Sequence, residues 1–201
     1  MAPRSDEQFA QIRQQSRKKI QETALELFAR QGYHSTSISQ IAKAAGVSKG
    51  LMYNYFTSKD DLLKKLVEQE VSEGEAALNM ALSTSVPPYQ KLKLIIEETI
   101  RIVQTDVRHW KLITTLSLQE EVMQQVKDLV QQKMDKGMQQ MIQLFTDLGV
   151  KDPEMEAWFF GATLDGLFLH YLTARGVDFD YPLEQMKQKL LRRYAAYKTT
   201  E

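Results

Sequence analysis

Between Ser37 and Asp61 the chain reads SISQIAKAAGVSKGLMYNYFTSKDD, and few folds accommodate that stretch. Ile38, Ile41, Ala42 and Ala45 recur at helical spacing. Ser37 in front of them and Gln40 three residues on form the pattern of a capping box, which starts a helix at residue 38. Gly46-Val47 stops that helix, and Ser48 caps a second short one. Two short helices joined by Ala45-Gly46-Val47-Ser48 have helix-turn-helix spacing. Glycine suits the turn because a tight reversal calls for positive φ. On the second helix Met52 and Phe56 are four apart and predict an inward face. Lys49, Gly50, Leu51, Asn54 and Tyr55 are then left outside, with Tyr53 near the edge. A tyrosine beside Asn, Lys and Gly on an outer face suits a helix laid in a major groove, where small Gly50 permits close approach.

The rest of the chain also reads as helix, without useful strand alternation or internal repeat. The first helix is expected from about Gln11 to Gln31, with Ile20, Ala24, Leu27 and Phe28 on one face. Arg17 and Lys18 precede that face and predict long-range attraction to a polyanion, with a flexible N-terminal arm. Ser58 opens a further helix to about Leu82, with Asp61 completing a second capping box. Ser83–Pro88 is the clearest linker. Helices follow near 88–105, 107–117, 119–148, 153–175 and 182–198. Gly32, Gly46, Gly149 and Gly176 stand where C-terminal caps belong. Pro87-Pro88, Pro153 and Pro182 stand at helix starts. The expected fold is all-α, about nine helices: a three-helix helix-turn-helix domain over residues 1–58 and a larger bundle over 59–201.

Net charge is zero, but its distribution is uneven. Residues 1–60 hold nine Lys/Arg against five Asp/Glu, and the remainder seventeen against twenty-one. The absence of cysteine excludes disulfides and thiolate chemistry. The N-terminus lacks the apolar stretch of a signal peptide, and no segment reads as a membrane span, so a cytoplasmic protein is expected, with no membrane partner.

From Ile20 to Leu63 the sequence, IQETALELFARQGYHSTSISQIAKAAGVSKGLMYNYFTSKDDLL, resembles the TetR family of bacterial regulators. Ala24, Leu27 and Phe28, the Gly32-Tyr33 turn, IAKAAGVSKG, the run from Tyr53 to Phe56 and Ser58-Lys59 all match; the rest of the chain matches in architecture only. The resemblance implies a dimeric transcriptional regulator on double-stranded DNA, reading a palindromic operator and answering to a small-molecule effector. It implies DNA contacts from Thr36, Ser37, Ser48, Lys49, Gly50, Leu51, Tyr53, Asn54, Tyr55 and Lys59. Lys49 and Lys59 are expected on phosphates, the tyrosine hydroxyls likewise, and Asn54 on a base edge. Each has a plainer alternative: solvated lysines, a solvated asparagine, a core tyrosine, and a serine or threonine that only caps. Leu51 replaces the Thr or Ser of many relatives and fits an apolar touch to a thymine methyl.

The resemblance places dimerisation on the last long helices. Gly161, Ala162, Asp165 and Gly166 form a small-residue patch there, with Leu169 further along, and Met134, Met138 and Met141 on the preceding helix join them. Glycine inside a soluble helix costs about 1 kcal/mol against alanine. Either a partner or a close crossing within the chain accounts for the patch. An effector pocket is expected among His109, Trp110, Ile113, Met123, Phe145, Phe159, Phe168, His170 and Tyr171, each of which is otherwise core. No cofactor or metal is expected. The three histidines are scattered, and HExxH, paired Glu-x-x-His, a Gly-rich phosphate loop and G-x-S-x-G are all absent. That weighs against an enzyme. A protein-docking role for the helix-turn-helix unit stays open at this point.

Overall fold

A computed structural model of the chain describes residues 6–175, Val177 and 179–198. Gly176, expected as a cap, and residues 1–5 of the expected arm lie outside the described residues. Among the described residues there are nine α-helices, a short 3-10 turn and no strand. In chain order they are α1 (Asp6–Gln31), α2 (Ile38–Ala45), α3 (Lys49–Tyr55), α4 (Lys59–Leu82), α5 (Pro88–Thr105), α6 (Val107–Ser117), α7 (Glu120–Asp147), α8 (Pro153–Ala174) and α9 (Leu183–Arg193). The 3-10 turn covers Ala195–Tyr197. None of these helices is long and apolar enough to cross a membrane.

The helices gather into two compact units. One runs to Glu70 and takes in Leu112–Lys127; the other is Val71–Lys111 with the chain from Asp128 onward. In the first unit, Ile20, Ala24 and Phe28 of α1, Ile41 and Ala45 of α2, Met52 of α3 and Leu62 and Leu63 of α4 are fully buried. Burying each large apolar side chain is worth roughly 1.5–3 kcal/mol. α1 begins five residues before its expected start. Its apolar face begins only at Ile20, so the turns before it extend beyond the packed part of the helix.

The second unit has one core. Leu92, Ile96 and Ile100 of α5 meet Leu144 and Phe145 of α7, Phe160, Leu164 and Leu167 of α8, and Leu190 and Tyr194 at the end of α9. Phe145, Phe160 and Tyr194 pack ring against ring, with centroids 5.6 to 6.2 Å apart. Glu156 ties α8 to the end of α9: Arg193 donates from Nε and Nη2 at 3.1 and 3.2 Å, and the Tyr194 hydroxyl at 2.7 Å. Burial works to raise the Glu156 carboxyl, but these donors outweigh it and hold it below its ordinary value.

Candidate nucleic-acid interface

The geometry of α2 and α3 follows from their caps. Ser37 Oγ accepts from Gln40 N at 3.2 Å, and Gln40 Oε1 accepts from Ser37 N at 2.7 Å, which completes the capping box. Gly46 closes α2 at φ +70, in the left-handed region, and donates to Lys43 O. Ser48 Oγ accepts from Leu51 N at 3.0 Å and starts α3. The second expected box is shifted by one residue. Ser58 Oγ accepts from Asp61 N, but the Asp61 carboxylate takes Thr57 N at 2.7 Å instead of the N–H of Ser58. That bond and the Lys65 ammonium hold the Asp61 carboxyl below its usual value although burial opposes them.

On α3, Met52 is fully buried and Phe56 nearly so. Lys49, Gly50 and Asn54 are exposed on the outer side, and a β-carbon at Gly50 would meet only Ser48 Oγ, at 3.9 Å. The two tyrosines exchange their expected places. Tyr53 is the outward ring, 48% exposed. Tyr55 is half-buried, tilted against Phe56 at 6.3 Å, and its carbonyl accepts from Lys65 Nζ at 3.4 Å. Leu51 is half-buried too.

Two expected contact residues point inward. Thr36 is 1% exposed, and its hydroxyl donates to Gly32 O at 2.9 Å and Leu27 O at 3.4 Å. The Lys59 ammonium donates to Tyr33 O at 2.8 Å and Thr36 O at 3.0 Å, and sits 4.3 Å from the Tyr33 ring centre. It is occupied by carbonyl oxygens rather than presented to an anion. Asp60 accepts from the Tyr33 hydroxyl. Burial first, and that carboxylate second, raise the tyrosine pKa well above normal. Lys59 and Asp60 thus fasten the start of α4 to the α1–α2 turn.

One positioning residue escaped the sequence reading. Gln119, between α6 and α7, accepts from Tyr33 N at 3.1 Å and donates to Phe28 O at 2.9 Å. Its amide therefore bridges both sides of the turn that closes α1. A lone glutamine 86 residues from its partner leaves no local pattern to find it by.

In the second unit, the expected pocket residues do not form one lining. Phe145 is core, with no exposure. Phe159 is 49% exposed and lies under the Arg193 guanidinium at 4.6 Å. Phe168 and Tyr171 pack against the core, while His170 is exposed with its ring edge-on to Tyr181. Trp110 donates from Nε1 to Ile102 O at 3.2 Å and meets the His109 ring edge-on at 5.6 Å. Ile113 and Met123 fall in the segment that belongs to the first unit. An open groove of about 890 Å³ lies elsewhere, between α5 and the end of α9, with Tyr89, Lys93, Leu94, Leu191 and Arg192 among its walls. None of the expected pocket residues lines it. No group of three or more potential metal ligands gathers among the described residues.

The small-residue patch on α8 is uncovered. Ala162, Asp165 and Gly166 are exposed, Gly161 is half-buried, and Leu169 is 47% exposed. β-Carbons built on Gly161 and Gly166 would meet nothing within 4 Å, so the described residues supply no close crossing there. Met155, Trp158 and Phe159 continue the apolar surface. Met134 on α7 is exposed, whereas Met138 and Met141 pack against the core.

Comparison with known proteins adds identity to this geometry. Residues 20–66 match the family model described as bacterial regulatory proteins, tetR family. Over those residues the chain carries that family's pattern. The regulator AcrR of Shigella flexneri is 36% identical over 96 residues, covering 47% of this chain and 45% of the relative. The fatty acid metabolism regulator protein of Bacillus subtilis is 28% identical over 114 residues, 55% of this chain and 58% of the relative. The matched stretch thus spans about half the length of these curated relatives. Among solved structures, a TetR-like transcriptional regulator from Rhodococcus superposes with a TM-score of 0.71 at 22% identity, covering 98% of this chain and 97% of that one. The fatty acid degradation regulator FadR from Bacillus halodurans gives 0.69 at 21% identity, with 89% and 94% covered. These structures share the fold over most of the chain, well beyond the segment that the family model matches.

Proposed function

We propose that this chain is a cytoplasmic, homodimeric regulator of transcription that reads a palindromic operator with α3 and is released by a small apolar effector. The observation that carries this reading is the outer face of α3. Lys49, Gly50, Tyr53 and Asn54 stand exposed on a helix whose start and preceding turn are fixed by Ser48 and Gly46. A rigid element presenting cationic and amide donors around a glycine suits a major groove. Lys49 and Tyr53 would hold phosphates, Asn54 a base edge, and Ser37 and Ser48 the backbone at their helix starts. Functionally, residues 1–58 are the reading domain and 59–201 the regulatory one.

A second copy suits the uncovered face of α8. That helix is apolar on both sides: Phe160, Leu164 and Leu167 go into the core, while Trp158, Phe159 and Leu169 stay out. A helix apolar all round is ordinarily covered on every side, and the open space around Gly161 and Gly166 lets another helix approach closely. Two-fold pairing would set two α3 helices against the halves of a palindrome. The effector would favour one arrangement of the bundle and shift α4, altering the spacing of the reading helices. Relatives named for fatty acid metabolism make acyl chains the first chemistry to screen.

The test is selection of bound sequences from a random DNA pool, then titration of the enriched sequence. A palindrome bound by the wild type, and lost at least tenfold in Lys49→Ala and Asn54→Ala with the fold intact, is the expected result. A protein that enriches no sequence, or whose α3 variants bind as well as the wild type, sinks the reading.

A further inference from the structure

The groove between α5 and the end of α9 plays no part in the operator reading, and its walls combine two chemistries. The first is apolar. Tyr89 and Leu94 line it on the α5 side, and Leu191 and Ala195 on the α9 side. Leu94 is 39% exposed, whereas Leu92, Ile96 and Ile100 of the same helix are buried in the core. From Tyr89 to Glu97 the groove follows α5 for about 12 Å. Its volume of about 890 Å³ falls within the roughly 300–1,000 Å³ of small-molecule sites.

The second chemistry is cationic. Lys93, Arg192 and Lys198 stand in the same lining against one acid, Glu97. Lys93 meets Glu97 at 3.8 Å, and both are partly exposed, so that pair adds little to the fold. Arg192 and Lys198 have no acidic partner among the described residues. The two adjacent arginines of α9 divide the work. Arg193 is bound by Glu156 of α8 through two nitrogens, whereas Arg192 lines the groove. The Lys198 ammonium lies 5.1 Å from the centre of the Tyr89 ring, which sets its charge against the apolar wall. The helix dipole favours a basic residue in the last turn of α9. It does not account for three cations around an apolar cleft, in the part of the chain where acids outnumber bases twenty-one to seventeen.

An apolar cleft alone suits any hydrocarbon, and a cationic patch alone suits any anion. Together they select a molecule that is apolar along its length and negative at one end. A guanidinium fork matches the paired oxygens of a carboxylate or phosphate. We propose that the α5–α9 groove binds an anionic amphiphile, its apolar part against Tyr89, Leu94 and Leu191 and its carboxylate or phosphate head on Arg192 and Lys198. This site requires no DNA, so it and the operator reading stand or fall separately.

The experiment titrates the full chain in a calorimeter with decanoate, decyl phosphate, decanol and decyltrimethylammonium, all below micelle formation. Both anions should bind saturably and at least tenfold more tightly than decanol or the cation, and the tighter anion names the head group. Octanoate should bind several-fold more weakly than decanoate, because buried methylenes carry the apolar part. Arg192→Gln/Lys198→Gln should lose at least tenfold for the anions and nothing for decanol. Arg192→Lys/Lys198→Arg should bind as the wild type does, and Leu94→Asn should weaken both anions several-fold. Thermal unfolding of each variant checks its fold. Methyl resonances place the ligand: those of Leu94 and Leu191 should shift, while those of Leu144 and Leu164 in the core stay still. Anion binding that survives the neutral double variant overturns the proposal. So does binding that moves the core methyls and leaves Leu94 and Leu191 unmoved. A wild type that takes an acidic peptide but neither amphiphile overturns it too.

Discussion

The two units differ in how they are held. In the first unit, geometry hangs on single atoms: Gly46 at positive φ, Ser37 and Ser48 at helix starts, Lys59 and Gln119 on backbone carbonyls. In the bundle, geometry hangs on volume, with Phe145 enclosed by Phe160, Tyr194 and aliphatic neighbours. Single-atom devices admit few residue types, so they leave a pattern in the sequence. Filling volume admits many, so a bundle can change its residues and keep its shape. The same freedom lets a solved structure of 22% identity superpose over 98% of this chain, although the family model matches only residues 20–66.

Substitutions can break or sharpen that contrast, beginning with the largest effect. Phe145→Ala should cost about 3–5 kcal/mol, since it empties space in a packed core. Chemical unfolding should show it, while Phe145→Leu should retain much of the lost stability. Survival of Phe145→Ala with under about 1 kcal/mol lost would mean the core collapses around the gap. Next comes Gln119→Met, which keeps the bulk and removes both hydrogen bonds. Leaving the Tyr33 N–H without its acceptor should cost about 1–3 kcal/mol, with faster exchange of that amide as the direct readout. A protected Tyr33 amide in the variant would show that the bridge is dispensable.

Smaller still, and of opposite sign, is Gly166→Ala. Open space surrounds this position, so the helix should gain up to about 1 kcal/mol while dimerisation measured by sedimentation weakens. An unchanged dimer would place the interface elsewhere. The smallest effect is acid-dependent. The Lys133 and Lys136 ammonium groups hold the Glu75 carboxyl at about 2, below its usual 4.5. A depressed carboxyl stabilises the fold above the unfolded value and loses that contribution as pH falls towards 2. Glu75→Gln should therefore lower Tm slightly near neutrality and flatten the acid side of the stability curve. Parallel curves for variant and wild type would dismiss the pair.

Legibility followed the same division. The caps, the turn glycine and the inward pair Met52 and Phe56 were readable because each obeys a local rule. The outward face of α3 was readable except for its tyrosines. A heptapeptide helix gives too little periodicity to decide which of Tyr53 and Tyr55 turns out. Lys59 misled because its motif position suggests a helix start facing anions, while its side chain folds back onto Tyr33 and Thr36. The pocket residues could not be chosen, because Phe145 and Phe159 are both aromatics on helices and only packing separates a core ring from a surface one. Gln119 lay beyond reach, since its partners come from a turn some ninety residues upstream.

That long reach bears on how the protein is made. Synthesis runs from the N-terminus at roughly 5–20 residues per second, so the helix-turn-helix segment emerges well before the residue that bridges its first turn. During that interval the three N-terminal helices exist without Leu116, Gln119, Val122 and Val126, all part of the same compact unit. A nascent chain stalled before residue 112 should hold a looser helix-turn-helix segment than one stalled after 127 has cleared the ribosome. The last part of the first compact unit to be synthesised lies in the middle of the chain.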